Sequence, residues 1–349
     1  MKRIGFVGAG KHTQCIHLPN YAVIPDCQIA AITDVDADLA KRVAAHMNIP
    51  KSYGSHTDML AHEKLDAVCV TLPATPMAET VIRDCLAAKL PVCVEKPLAW
   101  SVASGERIVA DAKKHGTLLV VGYHKRSDPA SIYAKGEIER FVKSGELGPM
   151  RYARLQVTLS GDWIENNYRL AMKGNAVIPP MPFPAGDHAK FNDKAKGKFF
   201  SFAGAHSHQL DLMRCLLGDA YTITYADPTG VMFAIASAHG VPGVMEFSPY
   251  NATDWREYGI IYFEKGYVRV DLPAPLAINR PGRTEVYRND GATVPTTTVA
   301  TFPAKSAMVS QAENFIRMLN GEKGSLCPAS EALESIGVAE DWAMRLFPN

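Results

Sequence analysis

The first 122 residues alternate short apolar runs with segments of helical period, and this alternation constrains the fold more than any other feature of the chain. It is typical of a parallel sheet joined by crossover helices, which defines an α/β fold. The predicted strands are Arg3–Val7, Gln28–Thr33, Ala67–Thr71, Val92–Val94 and Leu118–Gly122. The predicted helices between them are Ala37–His46, Pro76–Ala88 and Val102–His115.

The pattern changes after Gly122, which predicts a second α/β domain over residues 123–349 with a largely antiparallel, open sheet. Its predicted strands are Arg151–Ser160, Ile223–Tyr225, Val231–Ala238, Val244–Phe247 and Tyr258–Val270. Its predicted helices are Ala307–Leu319 and Ser330–Leu346. Gly161–Phe200 is rich in proline and lysine and has no assignable period. Long insertions of this kind are usually functional loops or flexible segments.

Composition excludes several classes of function. The chain has 37 basic and 36 acidic residues, so it has no excess of cations with which to neutralise nucleic-acid phosphates. Its seven cysteines show no Cys-x-x-Cys spacing, which favours a reducing compartment. No apolar run reaches membrane-spanning length, and no signal peptide precedes the first strand. We therefore expect a cytoplasmic protein that binds neither nucleic acid nor membrane.

The first predicted strand runs into Gly8-Ala9-Gly10-Lys11-His12-Thr13, a partial dinucleotide-binding fingerprint. Gly8 permits a tight turn, and Gly10 lets the backbone approach a pyrophosphate. The amides near Lys11 and His12 would then point at the anion. The third glycine of the fingerprint is replaced by Thr13. The context of strand, turn and helix predicts a Rossmann dinucleotide-binding domain over residues 1–122.

Asp34 ends the second predicted strand, ~20 residues after the turn, where a carboxylate can bind the adenosine ribose hydroxyls. Because it would repel a 2′-phosphate, and because Val35 and Asp36 add no cation, we predict NAD rather than NADP. The alternative for Asp34 is an N-cap of the helix that starts at Ala37. Leu72 and Pro73 follow the third strand of the pattern, at the edge where such sheets bind ligands.

The sequence Val-Cys-Val-Glu-Lys-Pro-Leu-Ala at Val92–Ala99, together with the glycine turn, resembles the glucose–fructose oxidoreductase/inositol dehydrogenase (Gfo/Idh/MocA) family. The likeness continues at Gly122–Pro129, Gly145–Gly148, His208–Asp211 and Leu216–Gly218, so it covers most of the chain outside Gly161–Phe200. It implies a Rossmann domain followed by an α/β domain whose open sheet packs on another subunit. A homodimer or homotetramer that acts on sugars, inositols or related compounds is therefore implied.

The resemblance assigns the general acid/base to Lys96. Oxidation of a secondary alcohol releases a proton as well as a hydride, and a positioned base typically contributes ~10²–10⁴-fold. A lysine can act as a base near neutral pH if partial burial or a nearby cation lowers its pKa. Adjacent side chains on extended backbone point to opposite faces, so we expect Glu95 to hold the cofactor or the loop. The alternative for Lys96 is a solvated loop lysine.

The resemblance also places His208 at the reacting oxygen, with Asp211 three residues later. A second alignment, on Gly204-Ala205-His206, would give that contact to His206 instead. Both histidines are predicted to lie in the substrate pocket, ahead of a helix over Leu210–Leu217 that Asp211 opens. The pair could suggest zinc, but no further cysteine or histidine cluster completes a ligand set, so no metal is predicted.

Further substrate contacts are predicted at Tyr123, Arg126, Trp163 and Tyr168. Aromatic faces suit the C–H faces of sugar rings, although packing within the loop is an equal alternative for Trp163 and Tyr168. Arg126 is predicted to contact the cofactor as well, and an interdomain ion pair is its alternative.

The expected function is NAD-dependent hydride transfer at a ring carbon of a sugar, glycoside or inositol-like polyol. One alternative is an enzyme that retains NAD and cleaves a glycoside by transient oxidation and elimination. Another is a non-catalytic NAD-binding sensor, against which the presence of Lys96 and of the two histidines argues.

Overall fold

The computed structural model of the chain describes residues 1–159, 168–176, 181–184, 186–249, 254–289, 291 and 294–348. The strands are β1 Lys2–Val7, β2 Cys27–Thr33, β3 Lys51–Tyr53, β4 Ala67–Val70, β5 Val92–Val94, β6 Leu119–Val121, β7 Met150–Leu159, β8 Tyr221–Ala226, β9 Met232–Ser237, β10 Pro242–Pro249, β11 Arg256–Phe263, β12 Gly266–Leu272, β13 Arg283–Arg288, β14 Thr296–Ala300 and β15 Cys327–Pro328. The α-helices are α1 Leu18–Ala22, α2 Ala37–His46, α3 His56–His62, α4 Pro76–Ala87, α5 Val102–His115, α6 Pro129–Ser144, α7 Asp193–Leu217, α8 Ala307–Leu319 and α9 Ala329–Leu346. None of the described helices is both long and apolar enough to cross a membrane.

The chain forms two compact units. The first contains the described residues of Met1–Tyr123, Glu165–Lys190 and Gln311–Ile336. The second contains those of His124–Ile164, Phe191–Ser310 and Gly337–Asn349. Part of the insertion that has no sequence period therefore belongs to the first unit, although it follows β7 of the second unit in the chain.

The described sheet of the first unit has seven strands in the order β15-β6-β5-β4-β1-β2-β3. Its strands pair in parallel, except β15, which pairs antiparallel with β6. The chain leaves β1 in one direction to reach β2 and β3, then returns to β4 and continues in the other. Right-handed crossovers therefore place α1 and α2 on one face and α4 and α5 on the other. The reversal between β1 and β4 is where such sheets bind ligands, at the carboxyl ends of the strands.

Local sequence accounts for the ends of these helices. Thr75 caps α4 by accepting the Ala78 amide, and Ser101 caps α5 by accepting the Ser104 amide. Gly116 ends α5 with a φ of 62°, in the left-handed conformation that glycine adopts without cost. The α1 and α2 face is covered by a continuous apolar core, to which the C-terminal half of α8 also contributes.

The described sheet of the second unit has eight strands in the order β14-β13-β12-β11-β7-β10-β9-β8. Its pairs are antiparallel except for β7 with β10. Helices α6 and α7 pack on it. The predicted α/β class, with a Rossmann unit followed by a largely antiparallel open sheet, is confirmed.

Three details of the second unit differ from the sequence expectation. The single strand predicted at Tyr258–Val270 is a hairpin, because Glu264 and Lys265 turn between Phe263 and its partner Gly266. Strands β13 and β14 were not predicted. Helix α7 begins at Asp193 rather than at Leu210, so Asp211 does not open it and both His206 and His208 lie within it.

Candidate functional site

The turn after β1 has the conformation that the glycine pattern predicts. Gly8 has a φ of 105°, and its amide donates to the Thr33 carbonyl at 2.8 Å. A Cβ at Gly8 would lie 2.9 Å from the Thr71 Oγ1, so a side chain is excluded. A Cβ at Gly10 would meet nothing within 4 Å, which leaves room beside this backbone for a pyrophosphate.

Thr13 replaces the third glycine, and the local structure accommodates its side chain. Residues Thr13–His17 form a π-helical turn that leads into α1, and Thr13 is buried. The Thr13 and Thr71 hydroxyls lie 2.7 Å apart. The wider π-helical turn gives the hydroxyl space against the end of β4, where a glycine would allow closer packing. The missing glycine is therefore compatible with a dinucleotide site.

Asp34 lies beside the glycine turn, as expected of a ribose-binding carboxylate. Its Oδ2 accepts the Ala9 amide at 2.7 Å, and its Oδ1 accepts the Asp36 amide at 2.9 Å. Each oxygen keeps a lone pair for a ribose hydroxyl. The N-cap of α2 is Asp36, which accepts the Leu39 amide, so the alternative role for Asp34 as the cap is wrong. These groups fit a bound dinucleotide.

Glu95 ties the end of β5 to the glycine turn. Its Oε1 lies 2.7 Å from His17 Nε2 and 3.5 Å from His12 Nε2, and its Oε2 accepts the Lys96 amide at 3.1 Å. Burial by itself would raise the pKa of Glu95, but the hydrogen bonds to His12 and His17 outweigh it and hold this pKa well below its usual range. An ionised Glu95 therefore fixes the backbone at Lys96.

The side chains of His12, His17 and Glu95 carry potential metal-ligand atoms within 4.8 Å of one another. Ligand atoms around a tetrahedral zinc lie about 3.3 Å apart, given Zn–N distances of ~2.0–2.1 Å. The 2.7 Å between His17 and Glu95 is instead a hydrogen bond. The described geometry is that of a hydrogen-bonded histidine–carboxylate cluster, and the absence of a metal stays a prediction.

The other predicted site residues of the first unit differ in their exposure to solvent. Lys96 is half-buried directly after β5, and Leu72 is half-buried after β4, beside Gly8. Lys11 and Pro73 are exposed, whereas Tyr123 is fully buried. Full burial gives Tyr123 no surface in this structure with which to contact a substrate.

Tyr168 lies against the glycine turn in the first unit. Its hydroxyl is 2.7 Å from His12 Nδ1. Sequence reasoning had grouped Tyr168 with Trp163 as a sugar contact; Trp163 falls outside the described residues. His17 was missed, and its one available signal was a second histidine about one turn after His12.

The two histidines of α7 have different surroundings. Successive residues of an α-helix are rotated by ~100°, so positions two apart point to nearly opposite sides. The His208 ring lies 4.3 Å from that of His124, centroid to centroid. The His206 ring contacts those of Phe202 and Phe247 at 4.9 and 4.4 Å, and burial lowers the pKa of His206 to about 4. His206 is therefore a neutral ring within an aromatic cluster at pH 7.

Arg126 forms a buried ion pair in the second unit. Its Nε donates to both oxygens of Asp211, at 3.0 and 2.8 Å, and Asp211 is completely buried. The sequence left an interdomain ion pair as the alternative for Arg126, whereas the observed ion pair lies within the second unit. Next to it in sequence, the buried Lys125 pairs with Glu257, which also accepts hydrogen bonds from Trp255 and Gln209.

The glycine turn, its carboxylate and the doubly wound parallel sheet define a Rossmann-type dinucleotide-binding protein. Residues 2–123 match the model of the Gfo/Idh/MocA family, described as an oxidoreductase family with an NAD-binding Rossmann fold. For the first unit, this match confirms the resemblance to the Gfo/Idh/MocA family that was found in the sequence.

Curated relatives match part of the chain, and solved structures share its fold. An inositol 2-dehydrogenase from Acidothermus cellulolyticus is 34% identical over 154 residues, which cover 44% of this chain and 44% of that protein. The match thus spans less than half of that relative's length.

An oxidoreductase from Agrobacterium radiobacter in complex with NAD⁺, L-tartaric acid and magnesium has a TM-score of 0.68 at 15% identity, covering 97% of this chain and 94% of that one. A 3-ketoreductase variant from Actinomadura kijaniata, in complex with TDP-benzene and NADP, has a TM-score of 0.66 at 16% identity, covering 97% and 95%. These structures show the fold.

Proposed function

We propose that the chain is an NAD-dependent oxidoreductase that transfers a hydride between nicotinamide and a ring carbon of a sugar, glycoside or inositol-like polyol. The observation that carries this proposal is the link between the glycine turn and Lys96. His12 of the turn and His17 contact Glu95, and Glu95 holds the Lys96 amide. A lysine is thereby fixed at the carboxyl edge of the sheet, next to the switch point that binds dinucleotides.

The chemistry needs a proton to move on the substrate oxygen as the carbonyl forms or is reduced. NAD, when bound, supplies the hydride acceptor. Lys96 Nζ takes the proton from the alcohol oxygen in oxidation and returns it in reduction, and the ammonium stabilises negative charge on that oxygen. His208, which packs against His124, is the proposed second hydrogen-bond partner of the oxygen. His206 is less suited, because burial keeps it neutral among aromatic rings.

The choice of NAD over NADP is part of the proposal. Asp34 and Asp36 place two carboxylates at the end of β2, where the adenosine ribose binds in this fold. The 2′-phosphate of NADP would be repelled there by the negative charges of these two carboxylates. The Asp36 pKa is lowered by the amides of Leu39, Ala176 and Asn175, so this residue is ionised at neutral pH.

The second unit is proposed to bind the substrate and to form the oligomer. Four tyrosines are cross-strand neighbours on one sheet face, with ring centroids 5.5–6.1 Å apart: Tyr152, Tyr262, Tyr267 and Tyr287. They are half-buried or exposed, and such an aromatic face suits a subunit interface. We propose a homodimer or homotetramer, which light scattering would test.

All seven cysteines are free thiols, which supports the proposed cytoplasmic location.

The decisive experiment compares Lys96→Ala with the wild type on a panel of sugars and inositols, by NADH absorbance and by NAD affinity. We expect kcat to fall by ~10²–10⁴-fold while the Kd for NAD changes little, because the lost group acts on the substrate oxygen. Lys114→Ala, on an exposed part of α5, is the matched control. Full turnover by Lys96→Ala with normal NAD affinity would refute the mechanism.

The same assay separates the alternatives. Glycoside turnover without net NADH would favour transient oxidation and elimination. Binding of NAD with no turnover of any substrate would favour a sensor.

A further inference from the structure

The insertion after β7 lies against the dinucleotide turn at its first described segment, Tyr168–Ala176, here named the front anchor. The Tyr168 hydroxyl is 2.7 Å from His12 Nδ1. The Gln14 side chain pairs with the Met172 backbone in both directions, accepting the amide at 2.8 Å and donating to the carbonyl at 3.1 Å. The front anchor therefore follows the helical turn whose first amides would face a pyrophosphate.

The front anchor continues to the ribose end of the site. The amides of Asn175 and Ala176 donate to Asp36 Oδ2 at 2.7 and 3.0 Å. A Cβ at Gly174 would lie 2.8 Å from that oxygen and 3.1 Å from Leu39. Because Asp36 also caps α2, its carboxylate cannot move aside without losing the cap. Only glycine at position 174 lets the chain approach this closely.

A second segment, Gly186–Lys190, is fixed to the opposite face of the sheet and is named the rear anchor. The buried Asp187 accepts hydrogen bonds from Trp100 Nε1 at 3.0 Å, from Ser101 Oγ at 3.3 Å, and from two Arg107 nitrogens at 3.0 and 2.9 Å. The hydrogen bonds from Arg107 lower the pKa of Asp187 despite its burial. This anchor carries a charge-assisted network around the buried Asp187, although Arg107 itself is partly exposed.

The two anchors differ in strength and in position. The front anchor contacts the turn before α1 and the N-terminus of α2, whereas the rear anchor contacts α5, on the other face. Leu170 and residues 173–176 of the front anchor are exposed, so its hydrogen bonds compete with water. The front anchor should therefore release before the rear anchor.

From these contacts we propose that the front anchor is part of the dinucleotide site and holds NAD in slow exchange. This inference rests on the proposed binding of NAD. Residues at both ends of the site, His12 and Asp36, are engaged by one continuous segment. A dinucleotide lying along the turn leaves only after this segment lifts, so the opening of the front anchor sets the rate of release. Tyr168 is then a residue that positions the cofactor through His12, rather than a sugar contact.

The test uses NADH as the probe, displaced by excess NAD⁺ in a stopped-flow fluorimeter. Gly174→Ala forces the front anchor away from Asp36, and we expect NADH to dissociate at least ~10-fold faster, as for a ligand whose closed state has been lost. Gly136→Ala is the matched control, since a Cβ there meets nothing within 4 Å. Tyr168→Phe removes one contact, to His12, and should give a smaller increase.

Limited trypsin digestion supplies a readout independent of catalysis, because Arg169 and Lys173 lie in the front anchor. In the wild type, NADH should slow cleavage at both sites; in Gly174→Ala, cleavage should be fast with or without NADH. If Gly174→Ala is cleaved faster but releases NADH at the wild-type rate, the inference is wrong while the proposed function stands. If the wild type binds no NADH in calorimetry, the proposed function fails and the inference falls with it.

Discussion

Half-buried His206 should make the stability of the second unit depend on pH in a measurable way. Its ring packs against those of Phe202 and Phe247, and burial lowers its pKa from 6.5 to about 4. The folded protein therefore keeps His206 neutral at a pH where the unfolded chain already binds a proton. The contribution of this shifted pKa to the free energy of unfolding is complete above pH ~7. It is lost as the pH falls towards the pKa of His206 in the folded protein.

The size of the effect follows from the two pKa values. Each unit of difference corresponds to ~1.4 kcal/mol, and the proton-binding equilibrium of the two states gives a loss of ~2 kcal/mol by pH 5 and ~3 kcal/mol near pH 4. That is a large part of the stability of a typical domain. Trp342 stacks on Phe202 at 3.9 Å between ring centroids, so its fluorescence reports on this region.

The assay is urea unfolding at pH 7.5 and pH 5.0, for the wild type, His206→Phe and the control His46→Gln. His206→Phe cannot titrate, so the wild type should lose ~2 kcal/mol more than this variant between the two pH values. His46 is exposed, and its removal should leave the difference between the two pH values unchanged. Equal losses in the wild type and His206→Phe would refute the account of His206 as a ring that stays neutral in the folded protein.

Two further predictions concern the glycine turn and the buried ion pair. Gly10→Ala should leave the urea midpoint of the cofactor-free protein unchanged and weaken NAD binding at least ~10-fold in calorimetry, because its Cβ meets only the space proposed for the pyrophosphate. Gly8→Ala should lower the urea midpoint as well, since it adds backbone strain and a clash with Thr71; equal midpoints for the two variants would contradict this. Arg126→Met should destabilise the protein by ~3–5 kcal/mol in urea unfolding, because it leaves the Asp211 carboxylate buried without its cation. A loss under ~1 kcal/mol would show that other contacts of Asp211 suffice.

The sequence alone determined the Rossmann half of the molecule and the resemblance of that half to the Gfo/Idh/MocA family. Strand runs, helix caps and the glycine turn are set by neighbours within a few residues, so their signals are local and readable. Asp34 was located in the same way, because its position follows from where β2 ends. The insertion and helix α7 gave no such signal. Glycines at positions 197 and 204 weaken helix propensity, so the period of α7 was recognised only in its last two turns.

Tertiary structure decided which distant groups meet. His17 and Glu95 are 78 residues apart, and His12 and Tyr168 are 156 apart, so no periodic pattern connects either pair. The assignment of Asp36 rather than Asp34 as the cap of α2 depended on backbone geometry that two neighbouring aspartates do not reveal. The same holds for His206, because the burial that lowers its pKa depends on packing against other elements. Local chain preferences thus specify the nucleotide-binding scaffold, whereas the charge states and contacts of its candidate site follow from long-range packing.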